Sequence, residues 1–189
     1  MSQAAAKNTQ SSKFSVRDIC YTGLFAAVIA VMAQISIPMP LGVPMTMQTF
    51  AITLAAVVLG SKLSAMASLV YLILGAVGVP VLASFSGGID KFVGPTGGFL
   101  ISVPLMAYII GLGVEHRNAF KGAFPLAVVV GTVVNYIVGV ILFVIVAHST
   151  VAVAISACVL PFIPTAIIKA VLACAIGLNI RKRIPGLKA

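Results

Sequence analysis

Six long apolar blocks, separated by short polar or proline-rich connections, dominate this sequence. They cover residues 19–37, 45–60, 63–79, 99–114, 124–147 and 151–180. Each is near or above the ~20 residues with which an α-helix crosses the hydrocarbon core of a bilayer. Only 8% of the residues are charged, whereas a water-soluble domain has about a quarter. The sequence therefore predicts an all-α membrane protein with six transmembrane helices, of which the second and fourth are short and need local bilayer thinning or snorkelling.

The basic residues gather at one end of these spans. With a cytoplasmic amino terminus, ten of the 12 lysines and arginines lie on the inner side: Lys7, Lys13, Arg17, Lys62, Arg117, Lys121, Arg181, Lys182, Arg183 and Lys188. Lys91 then lies outside, and Lys169 lies within a span. The positive-inside rule favours this orientation, so we expect both termini in the cytoplasm. These basic residues on the cytoplasmic side also account for the net charge of +9. No basic stripe alternates with aromatic residues, and we therefore expect the lipid bilayer rather than nucleic acid as the partner.

We expect a single membrane domain over residues 16–184. Residues 1–15 are polar and low in complexity, which predicts a disordered cytoplasmic tail, and residues 185–189 form a second short tail. Cys20, Cys158 and Cys174 lie in apolar sequence without the spacing of metal ligands. We interpret them as packing residues, and we expect neither a metal nor a cofactor.

Two outer connections are irregular. The segment 38–44 contains three prolines, which cannot continue a helix and predict a stiff loop. The segment 78–99 is long and rich in glycine, and it holds two of the few ionisable residues, Asp90 and Lys91. Long loops in compact proteins often bind ligands or cover them, so this segment is a candidate binding loop.

Lys169 is the most informative single residue. It lies twelve positions before Arg181 at the inner boundary, a rise of ~18 Å along a helix, which is past the midplane. A lysine at that depth costs roughly 2.5 to 3.5 kcal/mol on insertion scales. No Asp or Glu lies within a predicted span, which favours an anionic or strongly accepting ligand as the partner of the ammonium group. Asp90 folding inward from the outer loop is the alternative.

Other polar residues surround this lysine in the sequence. Pro161 and Pro164 interrupt the last apolar block and predict that the final helix begins near Ile163. The partial positive charge of that helix terminus would add to the preference for a negative group. Gln48 and Asn135 are site candidates because a side-chain amide both donates and accepts hydrogen bonds. Tyr71 is a further candidate, although most such polar groups only bond neighbouring helices.

Several catalytic motifs are missing. The sequence contains no Gly-x-x-x-x-Gly-Lys-Ser/Thr phosphate loop, no His-Glu-x-x-His zinc motif and no Gly-x-Ser-x-Gly elbow. We therefore expect a transporter subunit that takes its energy from another protein, and not an enzyme. A membrane-embedded enzyme or a small channel is the alternative class, disfavoured by the absence of catalytic pairs and of charged rings along a pore.

Five segments carry a family resemblance: 43–49 (Val-Pro-Met-Thr-Met-Gln-Thr), 59–60 (Leu-Gly), 71–81, 93–99 (Val-Gly-Pro-Thr-Gly-Gly-Phe), and 160–164 followed by Lys169 and Ala170. Through them the chain resembles the biotin-specific substrate-binding (S) components of energy-coupling-factor (ECF) transporters, the BioY family. The resemblance implies a bundle in the bacterial cell membrane that captures biotin from outside. It also implies association with a transmembrane coupling protein and two ATPase subunits. An S component for another small vitamin is the closest alternative.

The resemblance also implies which residues bind the ligand and which contact the coupling protein. The loop 86–99 would wall the pocket and the loop 38–44 would close it, while Lys169 matches a ligand-contacting lysine. The loop candidates are Ser86, Asp90, Phe92, Gly94, Pro95, Thr96, Gly97 and Gly98. Small residues of the first helix would dock on the coupling protein, although close packing inside the bundle is the alternative. They are Gly23, Ala26, Ala27 and Ala30.

The chain departs from the family at one informative position. Family members commonly have Pro-Gly-Asp before the lysine, where this chain has Pro164, Thr165 and Ala166. The carboxylate that would accept a ureido N–H is therefore absent, and Ser86, Gln48, Asn135 or Asp90 is expected to replace it. Lys169 would then donate to the ureido carbonyl or pair with the valerate carboxylate of biotin.

Overall fold

The computed structural model describes residues 15–39, 43–117 and 122–184. Its helices are α1 (Val16–Ala33), α2 (Gln48–Leu59), α3 (Ser61–Ala76), α4 (Asp90–Val93), α5 (Gly97–Ile101), α6 (Val103–Glu115), α7 (Ala123–Val146), α8 (Val151–Cys158) and α9 (Phe162–Arg183). Two short strands, β1 (Ser36–Ile37) and β2 (Met45–Thr46), form an antiparallel hairpin. The two predicted tails, 1–15 and 185–189, lie outside the described residues except for Ser15.

The described chain is mostly helical, as predicted. Four segments are long and apolar enough to cross a membrane: α1, the nearly continuous α5 and α6, α7 and α9. The second and third apolar blocks form the shorter helices α2 and α3, which meet at Gly60.

The sixth apolar block is divided rather than continuous. Helix α8 ends at Cys158 and α9 begins at Phe162, one residue before the predicted start. Pro161 precedes α9 and Pro164 lies in its first turn, where the missing amide hydrogen of proline removes no helical hydrogen bond. The division leaves the beginning of α9 free to face the interior near Lys169.

Helix α2 forms the centre of the bundle. All of its residues except Thr49 are buried, and it packs against α1, α3, α6 and α9. The outer helices instead expose large apolar side chains, among them Ile141 on α7 and Ile167 on α9. Such a surface suits contact with lipid, in keeping with a membrane protein.

The two ends of the bundle differ in chemistry. At one end the Ser61 backbone N–H donates to Glu115 Oε1 (2.7 Å), which ties the start of α3 to the end of α6. Arg181 donates to the carbonyl oxygens of Val57 (3.3 Å) and Val58 (3.0 Å) at the end of α2. The β-hairpin and the loop between α3 and α5 lie at the opposite end, where the candidate site is found.

Candidate functional site

A cavity of about 320 Å³ opens beside the β-hairpin. This volume falls in the range of small-molecule sites, which is about 300–1,000 Å³. Its walls come from the hairpin, the amino-terminal end of α2, the loop before α4, and helices α5 to α9. The polar lining residues are Thr46, Gln48, Thr49, Ser84, Ser86, Lys91, Thr96, Asn135, Tyr136, Thr165 and Lys169. The cavity therefore combines hydroxyl, amide and ammonium groups with apolar walls.

Lys169 reaches this cavity from the second turn of α9. Its Nζ atom donates a hydrogen bond to the carbonyl oxygen of Thr46 at 2.8 Å. An ammonium group has three donors, so two remain for a ligand. Asp90, the alternative partner predicted for Lys169, forms an ion pair with its neighbour Lys91 instead (3.1 Å).

Gln48 places a side-chain amide at the cavity. It is the first residue of α2, and only 7% of it is exposed. Its Nε2 atom is buried and has no hydrogen-bond partner among the described residues, while the residue lines the cavity. Because a buried unpaired donor costs about 1–3 kcal/mol, this amide is suited to a ligand that supplies an acceptor.

Asn135 presents the opposite chemistry. Its Nδ2 atom donates to the Phe99 carbonyl oxygen (3.0 Å) and to Ser102 Oγ (2.8 Å). Both amide hydrogens are thereby occupied, and the side chain is held against the junction of α5 and α6. The amide offers the cavity its Oδ1 atom, which accepts hydrogen bonds but cannot donate them.

The loop before α5 forms one wall. Ser86 lines the cavity while its hydroxyl donates to the Ala83 carbonyl oxygen at 2.7 Å, so its oxygen serves a ligand mainly as an acceptor. Thr96 also lines the cavity, and its hydroxyl donates to the Lys91 carbonyl oxygen at 3.3 Å. The Lys91 side chain is 43% exposed and is an ammonium group near the solvent side of the cavity.

Seven of the predicted site residues do not line the cavity: Asp90, Phe92, Gly94, Pro95, Gly97, Gly98 and Tyr71. The two adjacent glycines serve close packing. A Cβ atom at Gly97 would overlap the Phe92 carbonyl group, and one at Gly98 would lie 2.6 Å from the Val138 carbonyl oxygen of α7. Gly98 therefore allows α5 to pack closely against α7, and Gly97 allows the backbone at Phe92 to approach α5.

Tyr71 lies farther from the cavity, in the core between α3 and its neighbours. It is fully buried, and within the described ranges its hydroxyl group has no hydrogen-bond partner.

Six polar lining residues were not among the predicted site residues: Thr46, Thr49, Ser84, Lys91, Tyr136 and Thr165. A signal in the sequence existed for the last three. Lys91 is one of the few ionisable residues of the outer loop, Tyr136 follows Asn135, and Thr165 precedes Lys169 by one helical turn. The turn spacing places Thr165 and Lys169 on the same face of α9.

The small residues of α1 do not share one face. Gly23 and Ala27 are exposed, Ala30 is half-buried, and Ala26 is buried in the core. No other part of the described chain lies within 4 Å of the position that a Cβ atom of Gly23 would take. The exposed smooth surface of α1 is therefore centred on Gly23 and Ala27.

A bundle of apolar helices around a partly enclosed polar cavity defines a membrane protein suited to holding a small solute. The BioY family model matches residues 6–186, and the chain belongs to this family. It is similar to "Biotin transporter BioY" of Thermotoga maritima, with 41% identity over 168 residues, which cover 88% of this chain and 97% of the relative. It is also similar to "Biotin transporter BioY" of Rhizobium etli, with 35% identity over 186 residues, covering 93% and 98%.

A solved structure has the same fold. The crystal structure of the S-component for biotin from an ECF-type ABC transporter superposes with a TM-score of 0.79. It is 26% identical to this chain and covers 89% of it, and the match covers 93% of that structure's own chain. The family and these relatives are transporter proteins, and the chain is accordingly not an enzyme.

Proposed function

We propose that this chain is the biotin-binding subunit of an ECF-type transporter in the bacterial cell membrane. Its six membrane segments are α1, α2, α3, α5 with α6, α7 and α9, and both termini face the cytoplasm. The cavity then opens toward the outside, because the basic residues Lys62, Arg117 and Arg181 belong to the opposite end of the bundle.

The observation that carries this proposal is the cavity that has both Gln48 and Lys169 in its lining, where Gln48 Nε2 has no hydrogen-bond partner among the described residues. The ureido ring of biotin has one carbonyl oxygen and two N–H groups. Gln48 Nε2 and Lys169 Nζ are donors suited to the carbonyl oxygen, and Asn135 Oδ1 is an acceptor suited to an N–H group. Asn135 Oδ1 would thereby replace the Asp carboxylate that family members have at the position of Ala166. Ser86 is a second acceptor in the wall.

We propose that Lys169 and Lys91 contact opposite ends of biotin. Lys169 also borders a small second cavity together with Thr53 and Met106, farther into the bundle. Lys91 lies in the short helix α4, with a side chain that is 43% exposed. A ureido ring held at Lys169 would direct the valerate chain toward the solvent side, where the Lys91 ammonium meets the carboxylate.

Energy and partners are proposed from the family context. The chain has no phosphate-binding loop, and the structural relative is the S-component of an ECF-type ABC transporter. We place the transmembrane coupling protein on the exposed α1 surface at Gly23 and Ala27, which permits close helix approach. Two ATPase subunits joined to that protein would supply the energy.

Isothermal titration of the purified chain in detergent tests the function. Biotin should bind with saturable heat, and an excess of thiamin or riboflavin should not displace it. Heat indistinguishable from buffer would refute biotin binding. Displacement by one of the other vitamins would instead identify an S component with that specificity.

The orientation of biotin is tested with the uncharged analogue biotin amide. Lys91→Met should weaken biotin binding about fivefold and leave biotin amide unchanged, because an exposed ion pair contributes up to ~1 kcal/mol. Asp90→Asn is the matched control, since it removes the ion-pair partner of Lys91 but keeps the ammonium group. An equal loss for both ligands in Lys91→Met would contradict the carboxylate assignment.

A further inference from the structure

The cavity wall contains a backbone conformation that its residues do not favour. Ser84 has φ of 56° and Phe85 has φ of 53°, in the left-handed region that residues other than glycine rarely adopt. Ala83, Ser84 and Ser86 line the cavity around this turn. Phe85 is 71% exposed, so burial of its side chain does not stabilise the conformation.

Gln34 contacts this turn from the end of α1. Its Oε1 atom accepts a hydrogen bond from the Phe85 backbone N–H at 2.7 Å. Its Nε2 atom donates to the carbonyl oxygens of Ala30 (2.9 Å) and Val81 (3.0 Å). One side-chain amide thus connects its own helix to Val81 before the turn and to Phe85 within it, and these three bonds fix its orientation.

Other hydrogen bonds also hold this wall segment. Across the turn, the Ser86 backbone N–H (3.3 Å) and hydroxyl (2.7 Å) both donate to the Ala83 carbonyl oxygen. The Leu82 N–H donates to the Ser86 carbonyl oxygen (2.9 Å), and the Gly88 N–H donates to the Gly75 carbonyl oxygen (2.7 Å). Leu82 itself is buried against Gly75. From the hairpin side, Ser36 Oγ lies 2.8 Å from Ser84 Oγ. Gln34 is the residue that binds the backbone of the turn at Phe85.

We propose that Gln34 is a positioning residue for the ligand cavity. It holds the left-handed turn at Ser84 and Phe85 through the bond to the Phe85 N–H, and it thereby sets where Ser84 and Ser86 stand in the wall. The part of this inference that concerns ligand affinity rests on the proposed biotin function. The part that concerns the turn does not.

Amide hydrogen exchange in the ligand-free full chain tests the turn. Gln34→Met keeps the side-chain length and removes all three hydrogen bonds, so exchange of the Phe85 amide should accelerate about tenfold. The Gly88 amide, which is bonded to Gly75, should keep its rate. Ile35→Ala is the matched control, because Ile35 is the neighbouring exposed residue and only its backbone is bonded to the hairpin. An unchanged Phe85 rate in Gln34→Met overturns the proposal.

A double-mutant cycle with Phe85→Gly tests the link to affinity, since glycine adopts positive φ without strain. Gln34→Met should weaken biotin binding about tenfold in the natural chain and about threefold or less in the Phe85→Gly background. Equal losses in both backgrounds would show that Gln34 does not act through this turn. The Phe85→Gly substitution also removes the strain of positive φ at position 85, so the double variant can still be measured if Gln34→Met alone folds poorly.

The two readouts separate this inference from the proposed function. If biotin does not bind the natural chain, the proposed function fails, while the exchange experiment still decides whether Gln34 holds the turn. If biotin binds and the Phe85 amide is indifferent to Gln34, the positioning role fails and biotin capture stands.

Discussion

The substitution Lys169→Met separates ligand binding from folding at the centre of the proposed site. Methionine keeps an unbranched apolar side chain of similar length, so the packing of α9 should persist. The change removes the hydrogen bond to the Thr46 carbonyl oxygen (2.8 Å) and the positive charge from the cavity wall.

Lys169→Met is expected to lower the affinity for biotin without lowering the stability of the ligand-free protein. A hydrogen bond from a charged group contributes about 1.5–3 kcal/mol, and each ~1.4 kcal/mol is tenfold in affinity. We therefore expect biotin affinity to fall about 10-fold to 150-fold. Without ligand, the unpaired Thr46 carbonyl costs about 1 kcal/mol. Removal of a lysine from the membrane interior gains roughly 2.5–3.5 kcal/mol, so the ligand-free protein should be at least as stable as before.

The measurements are isothermal titration with biotin and thermal unfolding of the ligand-free protein in detergent. Arg181→Met is the matched control on the same helix, because Arg181 also donates to backbone carbonyl oxygens, those of Val57 and Val58, and lies outside the cavity lining. It should lower the melting temperature and keep biotin affinity within about twofold. An unchanged affinity in Lys169→Met, or an equal loss in Arg181→Met, would refute the assignment of Lys169 to the site.

Three further substitutions, the last with Ala26→Leu as its control, test separate parts of the structure. Gln48→Leu should weaken biotin binding about fivefold and raise the melting temperature of the ligand-free protein, because it removes a buried unpaired donor; an unchanged affinity would exclude Gln48 from ligand contact. Gly98→Ala should destabilise the protein by about 1–3 kcal/mol in chemical unfolding, because its Cβ would lie 2.6 Å from the Val138 carbonyl oxygen; full stability would contradict the packing role. Gly23→Leu should keep the melting temperature and abolish co-purification with the ATPase subunits, since its side chain enters open space. Retained co-purification in Gly23→Leu would show that the coupling protein docks on another surface. Ala26→Leu is the control: it changes a buried position and should destabilise the bundle.

The chemistry of single residues supplied the site candidates that the sequence offered. Lys169 stood out because an ammonium group in hydrocarbon needs a partner, and Gln48 and Asn135 stood out as amides within apolar spans. The structure brings all three to one cavity. Lys91 could have been predicted from its charge in the outer loop, but its place in the lining depends on how that loop folds.

The glycine block shows why a motif alone does not identify contacts. The Gly-Pro-Thr-Gly-Gly block, residues 94–98, lies within the candidate binding loop 78–99, yet Thr96 is the one residue of the block that lines the cavity. Gly97 and Gly98 instead meet backbone atoms of Phe92 and Val138. Whether a glycine faces a ligand or a neighbouring helix depends on packing partners that are distant in the chain.

The sequence by itself determined the helical membrane character, the basic end and the presence of a lysine in need of a partner. Hydropathy and charge act on each segment separately, so a linear pattern suffices for them. The tertiary structure decided which polar groups meet. The Lys169 bond joins residues 123 positions apart, and the bond from Gln34 to Val81 joins residues 47 apart. Such contacts depend on how the helices pack together, and no local pattern in the sequence specifies that arrangement.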